Sequence, residues 1–569
     1  MTNPSNAFTK VPMLFRAQVD GRCQLQRLQR DEEPHVIRWT DEWIERTYPN
    51  APKFTEGVQS RTYTINWRFL SNGGQDDSII RPAIGAKGWP FIPGSSMKGL
   101  FRRACSPEER DRYCGQELSG GDFLPGILRF HGGYPTSTNW TEDLIDIVHP
   151  QQDWQVKSDR KSGGAFAQIS LHEPELQFGI SSTTSLDEAE WQHIWEIWER
   201  ALSQGIGCRV SAGYGQPVDH KADVLYTCQL KGQGQAPKLF DGTGEFRPNI
   251  FRAGIRGHAL RIFGGLTNDK TAEQVVEGLF GGVKGKGTVG LLSIAFRPSE
   301  LDIESFGQGS YAQPTYRVEG ELSWSLAHPL ENAEQREKLV ALIEALTRFA
   351  MVLGGFGKSW RRADHRIFLP EYYEQGYKPL IGCHWQWSGR RSLLRDVRIR
   401  KLDQVTEFID GVRQVAREWL QVQGITPSFN QYANWREAWH PDNVQVWGRP
   451  HLDKDRHPLT ADMCEAIHWL HGPYRPAFRE ARIPEGSIYQ TSVTGKVNGK
   501  VNEIGRIWHR MYPFVNLKKD PETGKKQPRE TPAHFELLTI FPNQSPECDA
   551  FLQFLESEQK MFQKLWPTQ

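Results

Sequence analysis

FIPGSSMKGLFRRAC, residues 91–105, sets a proline and a Gly-Ser-Ser turn before a segment carrying Lys98, Arg102 and Arg103. Such a turn starts a helix. The first N–H groups of a helix have no partner within it, so Gly94, Ser95 and Ser96 offer donors to an anion. Lys98 adds a point charge, and Arg102 or Arg103 can hold a phosphate with two parallel hydrogen bonds. The stretch therefore predicts a helix start that meets phosphate.

Composition bounds the rest. The chain has 569 residues, enough for two to four domains. Charged residues make up 24% and hydrophobic residues 38%, a balance typical of a globular protein. No apolar run approaches the ~18 residues of a membrane span, and MTNPSNAFTK lacks the apolar core of a secretory signal. The eight cysteines include no C-x-x-C pair, so the expected setting is a reducing cytoplasm without a disulfide framework. With 69 basic against 68 acidic residues, indiscriminate coating of nucleic acid is excluded and local phosphate binding is not.

Outward from residue 91 the pattern repeats. TYTINWRFL (62–70) alternates as a strand. A polar loop and the opening motif follow, then a Gly/Asp/Ser/Pro-rich insertion at 106–170, a strand ELQFGI (175–180), and a helix 185–202 that Ser185 and Glu188 cap. The glycine loop GIGCRVSAGYGQP closes this copy. The second copy begins with the strand VLYTCQL (224–230) and a turn-rich loop. FRAGIRGHALRIFGG opens its helix, two strands and a helix follow, and GGFGKSWRRADHRIF ends it. Lys98-Gly99 aligns with Arg256-Gly257, and Arg261 falls in the slot of Arg103. Strand, helix, strands, helix is the order of a ferredoxin-like unit, so the expected class is α+β, with tandem ferredoxin-like modules carrying insertions. The expected boundaries are 1–220, 221–380 and 381–569, the last an extension or a third partial module.

Each copy holds a glycine loop beside cations: Arg209 with Gly213 and Gly215, and Gly354–Gly357 before Lys358, Arg361 and Arg362. Glycine lets backbone lie against a sugar-phosphate chain that the cations neutralise. GGVKGKGTVG lacks the Lys-Ser/Thr ending of a phosphate-binding P-loop and runs into a strand, which rules out ATP binding by that motif.

FIPGSSMKGLFRR followed far downstream by GCRVSAGYG resembles the RAMP superfamily, the backbone and flanking subunits of type III CRISPR effector complexes. FRAGIRGHALR, LFGGVKGKGTVG and LGGFGKSWRR are similar to the same pattern, without the Pro-Gly-Ser-Ser turn. The resemblance spans about residues 62–368. It implies a modified RNA-recognition-motif fold, guide-RNA binding, target RNA and other type III subunits as partners, and two fused modules as in type III-D variants. Some backbone subunits of the family cut target RNA with an aspartate in the loop before the helix motif. The matching loops hold Asp76 and Asp77 in GGQDDSII, and Asp241 with Glu245 in LFDGTGEF. An aspartate there either orients a ribose hydroxyl or holds Mg²⁺ or Mn²⁺; Asp-Gly is equally a turn signal.

Cys105, Cys114, His131 and His149 are candidate zinc ligands, although their spacing matches no standard site. Arg506, Trp508, His509 and Arg510 fit either single-stranded RNA or a strand with a core tryptophan. Three functions stay open on the residues. The chain is a guide-binding subunit that cuts, a purely structural RNA-binding subunit, or a free-standing endoribonuclease that matures guide RNA.

Overall fold

The computed structural model of the protein describes residues 26–27, 35–71, 75–76, 79–80, 82–118, 121–148, 153–158, 166–219, 224–239, 241–282, 288–357, 361–427, 431–450, 465–470, 482–483, 486–488, 491–497, 500–501, 504–557 and 562–568. Its contacts form two compact units, Met1–Pro150 with Gly163–Val224, and Gln151–Ser162 with Leu225–Gln569. The fold class is α+β, built from small, mainly antiparallel sheets.

The first unit runs α1 (His35–Glu45), β1 (Gln59–Thr64), α2 (Gly94–Ala104), α3 (Pro107–Cys114), β2 (Leu128–Pro135), β3 (Glu175–Ser182) and α4 (Glu188–Leu202). β3 lies between β1 and β2, antiparallel to both. After α4 the chain returns to β1 as a single antiparallel bridge, Pro217 to Ile65. This is the ferredoxin-like strand order 4-1-3-2 with the fourth strand reduced to a bridge. Leu176, Phe178 and Ile180 of β3 are buried, and Phe178 sits 4.9 Å from Trp198 of α4, which fixes the helix on that face. The cap of α4 is Asp187, whose side chain accepts from the Glu190 N–H, rather than Ser185.

β2 lies inside the stretch read as an irregular insertion. Its Gly132 and Gly133 disguise it, and packing requires both: a Cβ on Gly132 would meet the Ile92 carbonyl at 1.9 Å, and one on Gly133 the Phe178 ring at 2.7 Å. The alternating run 62–70 is split. Asn66 N–H bonds the Gln216 carbonyl, and the next strand, Arg68–Phe69, pairs with Leu171–His172 instead of β3.

The second unit contains two sheets. The first is built from β4 (Val224–Gln235), α5 (Asn249–Gly264), α6 (Asp269–Phe280), β5 (Leu292–Phe306), β6 (Gln313–Leu326), α7 (Ala333–Phe349) and β7 (Cys383–Trp387), with strand order β5-β6-β4-β7. After α8 (Gln404–Val422) come β8 (Gln445–Arg449), α9 (Glu465–Leu470), β9 (Ile507–Lys519), β10 (Lys526–Ile540), α10 (Pro546–Ser557) and β11 (Gln563–Trp566), ordered β9-β10-β8-β11. Both are strand orders 2-3-1-4, so residues 445–566 repeat the ferredoxin-like order a further time. The two-residue strand Arg361–Arg362, from the end of the second glycine loop, joins the edge of this last sheet parallel to β9.

One apolar core runs through both sheets of the second unit, and α5 lies deep in it. From Gly254 to Gly264 every residue of α5 is buried. A helix buried on all sides cannot leave cations unpaired. Among the described residues no helix is long and apolar enough to cross a membrane.

Candidate functional site

Pro93 ends the extended approach to α2, and the helix starts at Gly94 with no side-chain cap. Ser96 and Met97 N–H groups both turn back to the Pro93 carbonyl. Met97 and Phe101, one turn apart, are buried, with Phe101 5.0 Å from Phe130 of β2. That anchors one face and turns the other outward: Ser95, Ser96, Arg102 and Arg103 are exposed and Lys98 is half-buried. Ser95, Lys98 and Arg102 share a side of the helix by their spacing. Among the described residues Lys98, Arg102 and Arg103 have no acidic partner within ion-pair distance. Gly94 serves packing first, since a Cβ there would meet the Phe130 carbonyl at 2.0 Å.

The glycine loop of the first unit follows α4 and is pinned on the strand Arg68–Phe69 and the residue after it. Cys208 N–H bonds the Leu70 carbonyl, and Gly215 N–H the Arg68 carbonyl at 2.7 Å. A Cβ on Gly215 would sit 1.9 Å from the Ile206 carbonyl. Gly213 and Arg209 both have positive φ, 93° and 58°. For arginine that is the strained left-handed region. The Arg209 side chain is half-buried and makes no ion pair among the described residues.

The second unit uses its matching cations differently. Arg256 is buried and ion-paired with Asp153, which comes from the short helix Asp153–Lys157. Gly257 is buried beside it. Arg261 is fully buried, its Nε 2.7 Å from Glu437 Oε2, and its guanidinium lies 4.8 Å from the Trp508 ring. Arg362, buried, donates to the Gly357 carbonyl at 2.8 Å. Arg361 is half-buried in its strand, and Lys358 lies outside the described residues. The helix expected to start near Gly254 starts at Asn249, which moves Arg256 and Arg261 into its buried middle and end. The glycine loop closes over the same helix: His258 Nε2 is 3.0 Å from the Gly355 carbonyl, and a Cβ on Gly354 would strike the His258 ring. Arg256, Arg261 and Arg362 therefore hold the core together and are not free to meet a phosphate.

Glu437 was not singled out from the sequence. The signal for it is a carboxylate between two tryptophans in ANWREAW, which needs a buried cation. Burial pushes Glu437 up, but Arg261 and Arg436 outweigh it and hold the carboxyl below its ordinary range.

Asp241 is exposed in a tight turn. Its Oδ1 accepts from Thr243 N–H at 2.9 Å and from the Thr243 hydroxyl, and these bonds lower its pKa. Asp76 pairs with Ile79 in a two-stranded hairpin, and Asp77 lies outside the described residues. Among the described residues no three His, Cys, Asp or Glu side chains gather as metal ligands. His131 is exposed and bonded to Ser181, and His149 lies outside the described residues. Arg506, Trp508, His509 and Arg510 are buried in or beside the inner half of β9. Arg510 donates to the Met351, Arg362 and Trp385 carbonyls, so these four form core structure, not an RNA-stacking face.

No protein-family model and no curated protein matches the chain significantly. Among solved structures it is similar to a chain in the cryo-EM structure of the type III-B Cmr-beta bound to cognate target RNA. The identity is 20%, the match covers 28% of this chain and 57% of that chain, and the TM-score is 0.22. This chain thus spans just over half the length of that solved chain, and the strand orders above, rather than this likeness, define its fold.

Proposed function

We propose that the chain is a guide-RNA-binding backbone subunit of a type III CRISPR effector complex, with target RNA and other effector subunits as its partners. The observation that carries this reading is α2: a helix start without a side-chain cap, with Lys98, Arg102 and Arg103 lacking acidic partners among the described residues. The positive end of a helix and exposed cations together form a phosphate site, with Gly94 and Ser95 as its backbone donors, since the Ser96 N–H bonds the Pro93 carbonyl. Arg209, held at positive φ beside Gly213 and Gly215 and without an ion pair among the described residues, is a second contact in the same unit. Such contacts read backbone, not bases, so a guide of any sequence fits. The guide contacts belong to the first unit, because the matching arginines of the second are consumed in its core.

The test is filter binding of single-stranded RNA across a salt series with Lys98→Glu/Arg102→Glu protein. Each lost phosphate contact lowers the slope of log affinity against log salt by about one unit. Unchanged affinity and slope in the folded double variant refute the assignment.

For target cleavage, Asp241 remains the better candidate over Asp76 and Asp77. Among the described residues no group of three or more His, Cys, Asp or Glu side chains gathers there, so positioning of a ribose hydroxyl is the role proposed for Asp241. A second reading, RNA binding without cleavage, is favoured by the bonds from Thr243, which give Asp241 a complete role in its turn.

A further inference from the structure

β1 is an open edge of its sheet. On one side it pairs with β3: Tyr63 lies opposite Leu176, Arg61 opposite Phe178, and the Ile65 N–H donates to the Pro174 carbonyl at 3.1 Å. Alternate residues of an antiparallel strand turn their N–H and C=O to opposite sides. Ser60, Thr62 and Thr64 therefore face away from β3. Thr64 shows this directly, since its carbonyl accepts from the Val218 N–H at 3.0 Å. There the returning chain bends, at Val218 and Asp219, and among the described residues no strand extends the pairing beyond the bridge. Ser60, Thr62 and Thr64 are exposed. The backbone groups of Ser60 and Thr62 have no partner among the described residues.

A cavity of about 320 Å³ lies along this edge, lined by Arg61, Thr62, Tyr63, Glu199, Pro217 and Asp219. Its size is at the small end of the range for ligand pockets, about 300–1,000 Å³, and suits one side chain. Glu199 of α4 accepts from Arg61 at 3.0 Å and from the Tyr63 hydroxyl at 3.2 Å. Arg61 also donates to Gln192 at 2.7 Å and lies 5.3 Å from the Trp195 ring. Asp219 is exposed and makes no ion pair among the described residues. The cation of the cavity is thus already held, and the uncompensated charge is negative. A row of open backbone groups fits extended backbone. A carboxylate without a partner beside that row fits a cation.

We propose that the β1 edge is a strand-docking site. An extended segment of another protein chain pairs with Ser60 and Thr62, where the fourth strand stops, and places a lysine or arginine in the cavity against Asp219 and Glu199. The docked segment gives the sheet its fourth strand, and Ser60 and Thr62 each gain one donor and one acceptor partner. This site stands on the sheet of the first unit and does not rest on the RNA-binding reading.

Hydrogen exchange of the full-length protein, read at single amides, tests it. In the free protein Arg61 and Tyr63 exchange slowly, and Ser60 and Thr62 exchange fast. The probe is the capped peptide acetyl-Thr-Val-Lys-Val-Thr-amide at millimolar concentration. It slows Ser60 and Thr62 severalfold, and the same peptide with glutamate in place of lysine does not. Thr62→Pro removes an outward N–H without touching the ladder to β3, so the melting temperature stays and the protection of Ser60 is lost. Asp219→Lys reverses the preference, from the lysine to the glutamate peptide. Slow exchange at Thr62 in the free protein, equal protection by the two peptides, or protection by neither overturns the proposal. Protection of these amides by single-stranded RNA and not by peptide also overturns it.

Discussion

Replacing Arg261 with methionine separates a core cation from a phosphate-binding one. Arg261 is fully buried, bonded to Glu437, and stacked over Trp508. Arg261→Met keeps much of the volume and removes the charge. Removing one partner of a buried ion pair costs about 3–5 kcal/mol, because the other charge is left in a dry interior. Glu437 keeps Arg436, which places the loss near the lower end, about 3 kcal/mol. At about 2 °C per kcal/mol for a unit of this size, the melting temperature falls by roughly 6 °C. The sign with pH follows from Glu437, whose folded pKa lies below its unfolded value. Its contribution is complete above the unfolded pKa, about 4.3, and is lost as pH falls through the folded one. The gap between wild type and variant is therefore widest at neutral pH and narrows in acid. Calorimetry at pH 7 and pH 4 measures this, and RNA binding measures the rest: the salt slope stays at the wild-type value. A variant that melts within a degree of wild type yet loses salt slope refutes the reasoning and returns Arg261 to the RNA.

Gly94→Ala destabilises the first unit, by about 2 kcal/mol or more, since overpacking against backbone finds no relief, while Gly99→Ala, with nothing within 4 Å of its added Cβ, stabilises it by about 0.5–1 kcal/mol; denaturant midpoints compare them. Arg102→Met and Arg103→Met, both exposed, shift stability by no more than about 0.5 kcal/mol and reduce RNA affinity, as binding isotherms show. Asp241→Ala spares assembly and removes one of two cuts in end-labelled target RNA; an unchanged cutting pattern supports the binding-only reading.

The fold was legible where periodicity was strong. Trp195 and Trp198 on one face of α4, and the alternation through β6, need no knowledge of distant partners. β2 was hidden because its glycines answer to the Ile92 carbonyl and the Phe178 ring, neither of which local pattern reveals. The final ferredoxin-like order was hidden because its strands lie far apart in sequence: β8 (Gln445–Arg449) pairs with β10 and β11, more than 80 positions downstream. The site was half legible. A cation near a glycine looks the same whether it faces phosphate or a carboxylate 176 positions away, as Arg261 faces Glu437. At α2 the reading of exposed cations agrees with the structure because apolar anchors occupy the opposite face; at α5 it fails because no face is left for water.

RNA recovered with the purified protein tests the central claim most directly. The chain is expressed with a CRISPR array, purified at moderate salt, extracted and sequenced. The account predicts a discrete class of small guide RNA of mixed spacer sequence, lost from Lys98→Glu/Arg102→Glu protein. Protein that folds and carries no RNA, or only random cellular fragments in wild type and variant alike, contradicts it.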